Sequence, residues 1–508
     1  MKILGISSSH NSSAALMIDG ILLGCIQEER FTKLKNQIGF PLNAIKSLIS
    51  DFLDGDSSAI DMVVFAGKSE DPFFTAIDRY SSKISVHDHV EEMYKVWYPY
   101  FYEKGKNLNE YWIDIYESNV RNNTGHNIDF SFLSKVNNVV DYYNEVVLPE
   151  TVRRHLNYNG PIASIDHHTC HAYYALNGYM LNDDKKNDAL IVTADAYGDG
   201  LNYSISSVNQ DGSLKLLDQG NKNTVARIYK FVTLILGMKP NEHEYKVMGL
   251  SAYSGSSKYV DYVEDIFFNI LDFNNGDFVS KLPLKDSYFD LKDRLEGCRF
   301  DSISAGLQSW STKVTSKWID FWLIKTSKKG VCFSGGLSMN IKTNGDLVGL
   351  DSLEWISVPA SGGDESASIG ACYSHMSSIN QKSYPLTHVY LGNTPEQINT
   401  NWHNRLDETH LSKSDFYIFD SISTKDVALL LKHNYVIARC VGRAEFGARS
   451  LGNRAILANP SNLENVKLIN DVIKNRDFWM PFTPSIMMEH INQYIFNQKN
   501  IQSPFMTI

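Results

Sequence analysis

The chain has 508 residues, 43% hydrophobic and 21% charged, enough for two or three domains with cores of their own and too apolar for disorder to dominate. Its formal charge of −10, without any block of like charges, excludes a nucleic-acid or anionic-membrane surface as the main partner. Six scattered cysteines without a C-x-x-C pair give no disulfide framework or four-cysteine zinc site, and the absence of an 18-residue apolar run or signal-like start predicts a cytoplasmic protein.

In chain order, "KILGISSSHNSSAALMIDGILLGCI" predicts strand, polar turn, strand, an Asp19-Gly20 hairpin, and strand. Residues 70–160, rich in Tyr, Trp, Asn and charge, predict a mainly helical insertion between two lobes. "DHHTCHAYYAL" follows, with His167 and His171 four apart, on one face if helical, and His168 pointing elsewhere. Such a pair can present two imidazoles to one metal ion, or it can simply pack.

"ALIVTADAYGDGLNYSISSVNQDGSLKLL" repeats the opening plan, with a turn at Asp195–Gly200 and another at Asp211-Gly212. Two such meanders followed by helices predict an α/β fold of two similar lobes around a ligand cleft. Asp195 at a strand end and Asp364 at a glycine-rich turn are carboxylates that could complete the histidine pair for iron(II), zinc or manganese, or serve as turn and cap residues.

Two Ser-Gly-Gly turns, at Ser334–Gly336 and Ser361–Gly363, each end an apolar strand and open a helix, a geometry that suits nucleotide binding. "QKSYPLTHVYLGNTP" predicts a domain boundary near residue 390. Beyond it, "CVGRAEFGARSLGNRAILANP" interleaves Arg443, Arg449 and Arg454 with glycines, a pattern for holding phosphate or carboxylate; salt bridging to Glu445 is the alternative.

Eight ordered motifs, "ILGISSSHNSSAAL", "EERFTKLK" with "GFP", "DHHTCHAYYAL", "EYKVMGLSAY", "SGGLSMN", "PASGGDESASIGA", "GRAEFGARSLGNRAILANP" and "RDFWMPFTPSIM", resemble the NodU/CmcH O-carbamoyltransferases from residue 2 to about 508. The resemblance implies a duplicated actin/Hsp70-like (ASKHA) ATPase domain over 1–390 with the helical insertion, then a partial YrdC-like α/β domain over 391–508. It implies that carbamoyl phosphate and ATP, the latter with Mg2+, give carbamoyladenylate, whose carbamoyl group passes to a hydroxyl of a small-molecule or saccharide acceptor.

By that resemblance His167, His171, Asp195 and Asp364 hold a metal, iron(II) foremost. His10 activates the acceptor or holds the adenylate, with a turn hydrogen bond as its other reading. Glu244, Lys246, Gly335, Gly336 and Asn340 approach nucleotide, and Arg443, Arg449 and Arg454 hold carbamoyl phosphate or the triphosphate.

Ala448 and Asn459 depart from the family's usual Pro and Asp. The family continues past "SPFMTI" through an Asn-Thr-Ser-Phe-Asn motif, so about half of the adenylate site is expected to be missing: the sequence is a fragment, a homo-oligomer or partner chain supplies the rest, or the protein no longer forms the adenylate itself. A nucleotide-binding partner protein with impaired catalysis is the competing expectation, and an unpaired strand edge is expected at the end.

Overall fold

The computed structural model describes residues 1–103, 105–118, 128–394, 417 and 421–508, and divides into two compact units. The first comprises Met1–His388 with Phe496–Ile508; the second is Val389–Ile495. The second domain expected over 391–508 therefore yields its last residues to the first unit. There Thr507 Oγ1 donates to the Val358 carbonyl at 2.8 Å, and the Thr507 carbonyl accepts from Asn344 Nδ2 at 2.7 Å. Phe496–Ile508 form no strand, contrary to the expected edge, because these bonds tie the segment to loops and a helix instead.

The first unit contains the duplication. Strands β1 (Lys2–Ser7), β2 (Ser13–Ile18) and β3 (Ile21–Gln27) form an antiparallel meander, and β4 (Met62–Ala66) and β5 (Ile162–Ile165) extend it in parallel on the β1 side. The second meander is β6 (Ala189–Gly198), β7 (Leu201–Val208) and β8 (Leu214–Gly220). After a small ribbon of β9 (Asp272–Asn274) and β10 (Asp277–Val279), β11 (Gly330–Ser334) and β12 (Trp355–Ser357) add in parallel beside β6. The two sheets thus have equivalent orders, β3-β2-β1-β4-β5 and β8-β7-β6-β11-β12, the duplicated two-lobed plan of actin/Hsp70-like folds.

Local chemistry explains these elements. Asp19-Gly20 and Asp199-Gly200 both take positive φ, the left-handed pairs that match a two-residue turn to strand twist. The second polar turn is consequently Asp199-Gly200, and Asp195 lies within β6 at an irregularity between Ala194 and Gly198, not at the strand's end. Glu28, buried, accepts from the Asn43 and Ala44 amides at 3.2 and 2.9 Å, placing its carboxyl at the N-terminus of helix Leu42–Leu53.

The aromatic-rich insertion is helical but lies between β4 and β5 of the first lobe, rather than between the lobes. Its residues 104 and 119–127 lie outside the described residues, as does Pro395 of the expected boundary. Some of its rings join the first lobe's core, among them Phe73, Trp112, Phe130 and Tyr143, while Tyr94, Tyr98, Tyr100, Phe101 and Tyr142 are exposed. The second lobe packs around helix Phe300–Thr326, where Trp310 is buried and its indole N–H donates to the Leu271 carbonyl at 2.7 Å. All six cysteines are free, and among the described residues no helix is long and apolar enough to cross a membrane.

Each lobe lends the helix after its last strand to the other sheet. His168, on the first lobe's helix His167–Asn177, meets Thr193 Oγ1 of β6 through Nδ1 at 2.8 Å. On the second lobe's helix Ala367–Ser378, Ser368 Oγ lies 2.7 Å from Ser13 Oγ of β2. The two helices touch along their backbones: a Cβ on Gly370 would stand 1.8 Å from the Cys170 carbonyl oxygen, so only glycine permits this approach.

A buried histidine in the insertion carries a pH prediction. His89 is 2% exposed, its Nε2 has no hydrogen-bond partner among the described residues, and burial pushes its pKa down to about 3, against a weaker upward pull from Glu92. The unfolded chain therefore binds the extra proton between pH 6.5 and 3, so stability is full above pH 6.5 and falls as pH drops through that window. Urea unfolding at pH 7 and 5 should show a loss of about 2 kcal/mol that His89→Leu abolishes.

Candidate metal and transfer site

The duplicated fold brings four distant residues together. His167 and His171 open the helix after β5, and Asp364 stands before the equivalent helix after β12. Asp195 lies in β6 at its irregularity between Ala194 and Gly198, in the second meander, and His10 lies in the β1–β2 turn of the first. Each lobe's meander thus meets the other lobe's helix start: His10 Nδ1 lies 2.8 Å from Asp364 Oδ2, and Asp195 Oδ2 lies 3.5 Å from His171 Nε2.

His167, His171, Asp195 and Asp364 are all buried, and one ligand atom of each lies within 4.8 Å of the others. The two Nε2 atoms are 3.1 Å apart, and Asp364 Oδ1 is 3.7 Å from both. Donor atoms bonded at about 2.1 Å to one first-row ion stand about 3.0–3.5 Å apart, so the spacing fits a single divalent cation. Two imidazoles and two carboxylates also suit iron(II), zinc and manganese alike, so the donor set does not select iron.

The supports around the donors are specific. Asp166 caps the histidine helix by accepting from the Thr169 amide at 2.8 Å, while Asp199 accepts from the His167 amide at 2.7 Å and the Ser69 amide at 2.8 Å. Ser334 Oγ stands 3.3 Å from His171 Nδ1, leaving Nε2 toward the cluster. The carboxylate of Asp364 is shared: Oδ1 faces the histidine pair, while Oδ2 meets His10 and accepts from Ser9 Oγ at 2.9 Å.

Electrostatics follow this packing. Burial alone would lower His167, but the Asp364 and Asp195 carboxylates beside it raise it to about 10. Burial likewise works against charge on His10, and Asp364 outweighs it, raising the ring. His168, buried and beside two other imidazoles, is pushed down to about 3 and held neutral, outside the donor set. Burial opposes ionisation of Asp364, yet His10 and His167 hold it well below the usual carboxylate range.

The remaining predicted residues have particular places. Gly336 donates its amide to Asp195 Oδ2 at 2.8 Å, so this turn fixes a cluster carboxylate. Gly335 has φ +91°, and a Cβ there would come 2.3 Å from the Ala194 carbonyl oxygen. Gly335→Ala should therefore cost about 2–3 kcal/mol in urea unfolding and weaken metal retention by tilting Gly336 away from Asp195. Asn340 caps helix Ile341–Leu347 through the Thr343 amide and exchanges side-chain bonds of 3.0 and 3.1 Å with Gln308.

Glu244 accepts from the Asn241 amide at 2.7 Å, and burial raises its pKa. Lys246, half-buried, lies on the same helix, Glu244–Leu250.

In the second unit, β13 (Ile437–Cys440) and β14 (Arg454–Leu457) pair antiparallel. Arg443 donates to the Leu391 and Gly392 carbonyls at 2.6 and 2.9 Å, and Arg454 donates to the Val441 and Gly442 carbonyls at 2.8 and 3.0 Å. Arg449 lies in the loop between the two strands. Glu445 accepts from the Leu451, Asn453 and Arg454 amides at 2.8, 2.7 and 3.0 Å, so it organises this loop through backbone groups.

Glu70 belongs to none of the motifs in the sequence. Burial raises its carboxyl to about 8, opposed by His167, and it reaches the neighbourhood of His10 and Asp364. It lies in a polar stretch after β4 that resembles any surface turn, and only the folded arrangement reveals it. Asp199 appears in the sequence only as part of a turn; its acceptor role depends on the approach of residues 68–69 and the histidine helix.

The family models described as "Carbamoyltransferase N-terminus" and "Carbamoyltransferase C-terminus" match residues 2–373 and 428–508. An uncharacterized protein of Methanocaldococcus jannaschii is 26% identical over 99% of this chain and 82% of its own length. The nodulation protein NolO of Bradyrhizobium diazoefficiens is 27% identical over 67% of this chain and 62% of its own length. Among solved structures, component A of (R)-2-hydroxyglutaryl-CoA dehydratase from Acidaminococcus fermentans has a TM-score of 0.35 at 12% identity, covering 73% of this chain and 96% of that one.

Proposed function

Because the chain belongs to the carbamoyltransferase family, we propose that it transfers a carbamoyl group from carbamoyladenylate to a hydroxyl of a small-molecule or saccharide acceptor. The observation that carries the reading is the convergence of His167, His171, Asp195 and Asp364, with His10 held against the last of them. In the proposed reaction, water first cleaves carbamoyl phosphate to carbamate and phosphate, and a carbamate oxygen then bonds to the α-phosphorus of ATP as pyrophosphate leaves, giving carbamoyladenylate. The acceptor oxygen then bonds to the carbamoyl carbon, the bond from that carbon to the AMP phosphate oxygen breaks, and AMP leaves.

His10 is assigned to the acceptor. Its Nδ1 is committed to Asp364 Oδ2, which orients the ring and leaves Nε2 as the nitrogen that can take the hydroxyl proton. His167, His171, Asp195 and Asp364 would hold a divalent metal, iron(II) by resemblance. When bound, that ion supplies a Lewis-acidic charge beside the carbamoyl oxygen or the phosphate. Burial of all four donors excludes bulk water, which matters because water competes with the acceptor for the activated carbonyl. Formation of the adenylate, with ATP as its Mg2+ complex, is assigned to the second unit and its arginine-rich loop, Arg443, Arg449 and Arg454.

The test supplies carbamoyladenylate directly, with a set of saccharide and small-alcohol acceptors, and follows AMP release and carbamoyl ester formation. Acceptor-dependent AMP release that falls at least a hundredfold in His10→Ala is the expected result. Release no faster than in buffer, for every acceptor, sinks the transferase reading. Nucleotide binding without turnover would instead assign the chain as a nucleotide-binding partner that depends on a second chain for adenylation.

A further inference from the structure

Helix Val225–Ile235 of the second lobe turns two cations to one face, Arg227 and Lys230, three residues apart. Both are half-buried. Each lies against an aromatic ring: the Arg227 guanidinium is 5.5 Å from the centre of Tyr197, and the Lys230 ammonium is 5.4 Å from the centre of Tyr80. Tyr80 belongs to the first lobe, and the same ring lies 5.4 Å from the His10 imidazole. Lys230 and His10 therefore share one aromatic wall.

Among the described residues neither cation is paired with an acid, and the pull of Glu92 and Glu244 on Lys230 is weaker than the effect of its burial. Among the described residues no hydrogen bond or ion pair engages Lys230 or Arg227, unlike Arg79 beside them, which is paired with Glu92. Glu244, the other acid near Lys230, is pushed toward its neutral form by burial. Burial, reinforced by Arg79, lowers Lys230 to about 7, the response of an ammonium that lacks a counter-charge. Half-buried cations without a partner are costly unless a ligand supplies the charge.

We propose that Arg227 and Lys230 form an oxyanion subsite beside His10 that takes a phosphate group carried by one of the two transfer substrates. The guanidinium fork and the ammonium supply directed donors, while Tyr80 and Tyr197 supply flat walls for a base or sugar ring attached to that phosphate. Two sources share this chemistry, the nucleotide of the carbamoyl donor and a phosphorylated acceptor. The assignment to transfer rests on the function proposed above; the binding of phosphate does not.

The experiment is calorimetric titration of the full chain, stripped of divalent metal, with inorganic phosphate, AMP and adenosine. Lys230→Met and Arg227→Gln, each checked for a native thermal transition, should weaken phosphate binding about tenfold. AMP weakened equally with adenosine unchanged identifies the nucleotide as the source, whereas AMP unchanged beside weakened phosphate identifies the acceptor. No phosphate binding by the native chain, or unchanged binding in both folded variants, overturns the subsite. A chain that binds phosphate here but transfers no carbamoyl group overturns only the function.

Discussion

Asp364→Asn is expected to reduce carbamoyl transfer about a thousandfold and to abolish stoichiometric metal, the largest single effect in the first unit. The substitution preserves volume, but it removes one negative charge from a carboxylate that performs two tasks. Oδ1 faces both Nε2 atoms of the histidine pair, and Oδ2 orients His10. Loss of a metal donor and loss of the base's orientation should therefore appear together.

The variant should still fold, because Asp195 and Glu70 stand near the same point and removal of one acid relieves their mutual repulsion. Metal content by elemental analysis and AMP release from carbamoyladenylate measure the two effects. His168→Gln is the matched control: its Nδ1 bonds Thr193, outside the donor set, so metal should be retained. An Asp364→Asn protein with full metal and near-native transfer would remove the site assignment.

The sequence makes one half of this site legible more readily than the other. His167 and His171 follow from helical spacing, since a rigid helix leaves little doubt about which faces they share. The meanders announce themselves through apolar alternation and Asp-Gly turns. Asp195 and Asp364 carry no such local signal: as isolated acids beside turns they are indistinguishable from caps, and the family motifs single them out. Their meeting depends on the exchange of helices between lobes, a long-range consequence of packing Gly370 against Cys170.

Gly336 has a role that its motif does not announce. A glycine-rich turn suggests an amide offered to phosphate, yet here that amide holds a cluster carboxylate. Sequence adjacency assigns residues 496–508 to the second domain, whereas buried bonds to Asn344 and Val358 place them with the first unit.

Glu92→Ala should destabilise the first unit by about 3–5 kcal/mol, because it leaves the buried Arg79 guanidinium without its counter-charge. The pair is bidentate and about 7% exposed on each side: Arg79 Nε donates to Glu92 Oε2 at 2.7 Å, and a second guanidinium nitrogen bonds Oε1, which also accepts the Trp97 indole N–H at 3.0 Å. Arg79 also lies 4.2 Å from the centre of the Phe74 ring and donates to the Tyr80 hydroxyl at 2.7 Å.

Breaking the pair should therefore weaken more than the insertion. Tyr80 is the wall that His10 and Lys230 share, so its loosening should lower transfer and phosphate affinity in a protein that still unfolds cooperatively. Replacing both partners, Arg79→Met with Glu92→Leu, should recover most of the stability, since no isolated charge remains, but not the activity, since the Tyr80 hydroxyl loses its donor. Urea unfolding of the single and double variants separates these effects. Equal destabilisation in both would show that packing volume, and not the buried charge, dominates at this position.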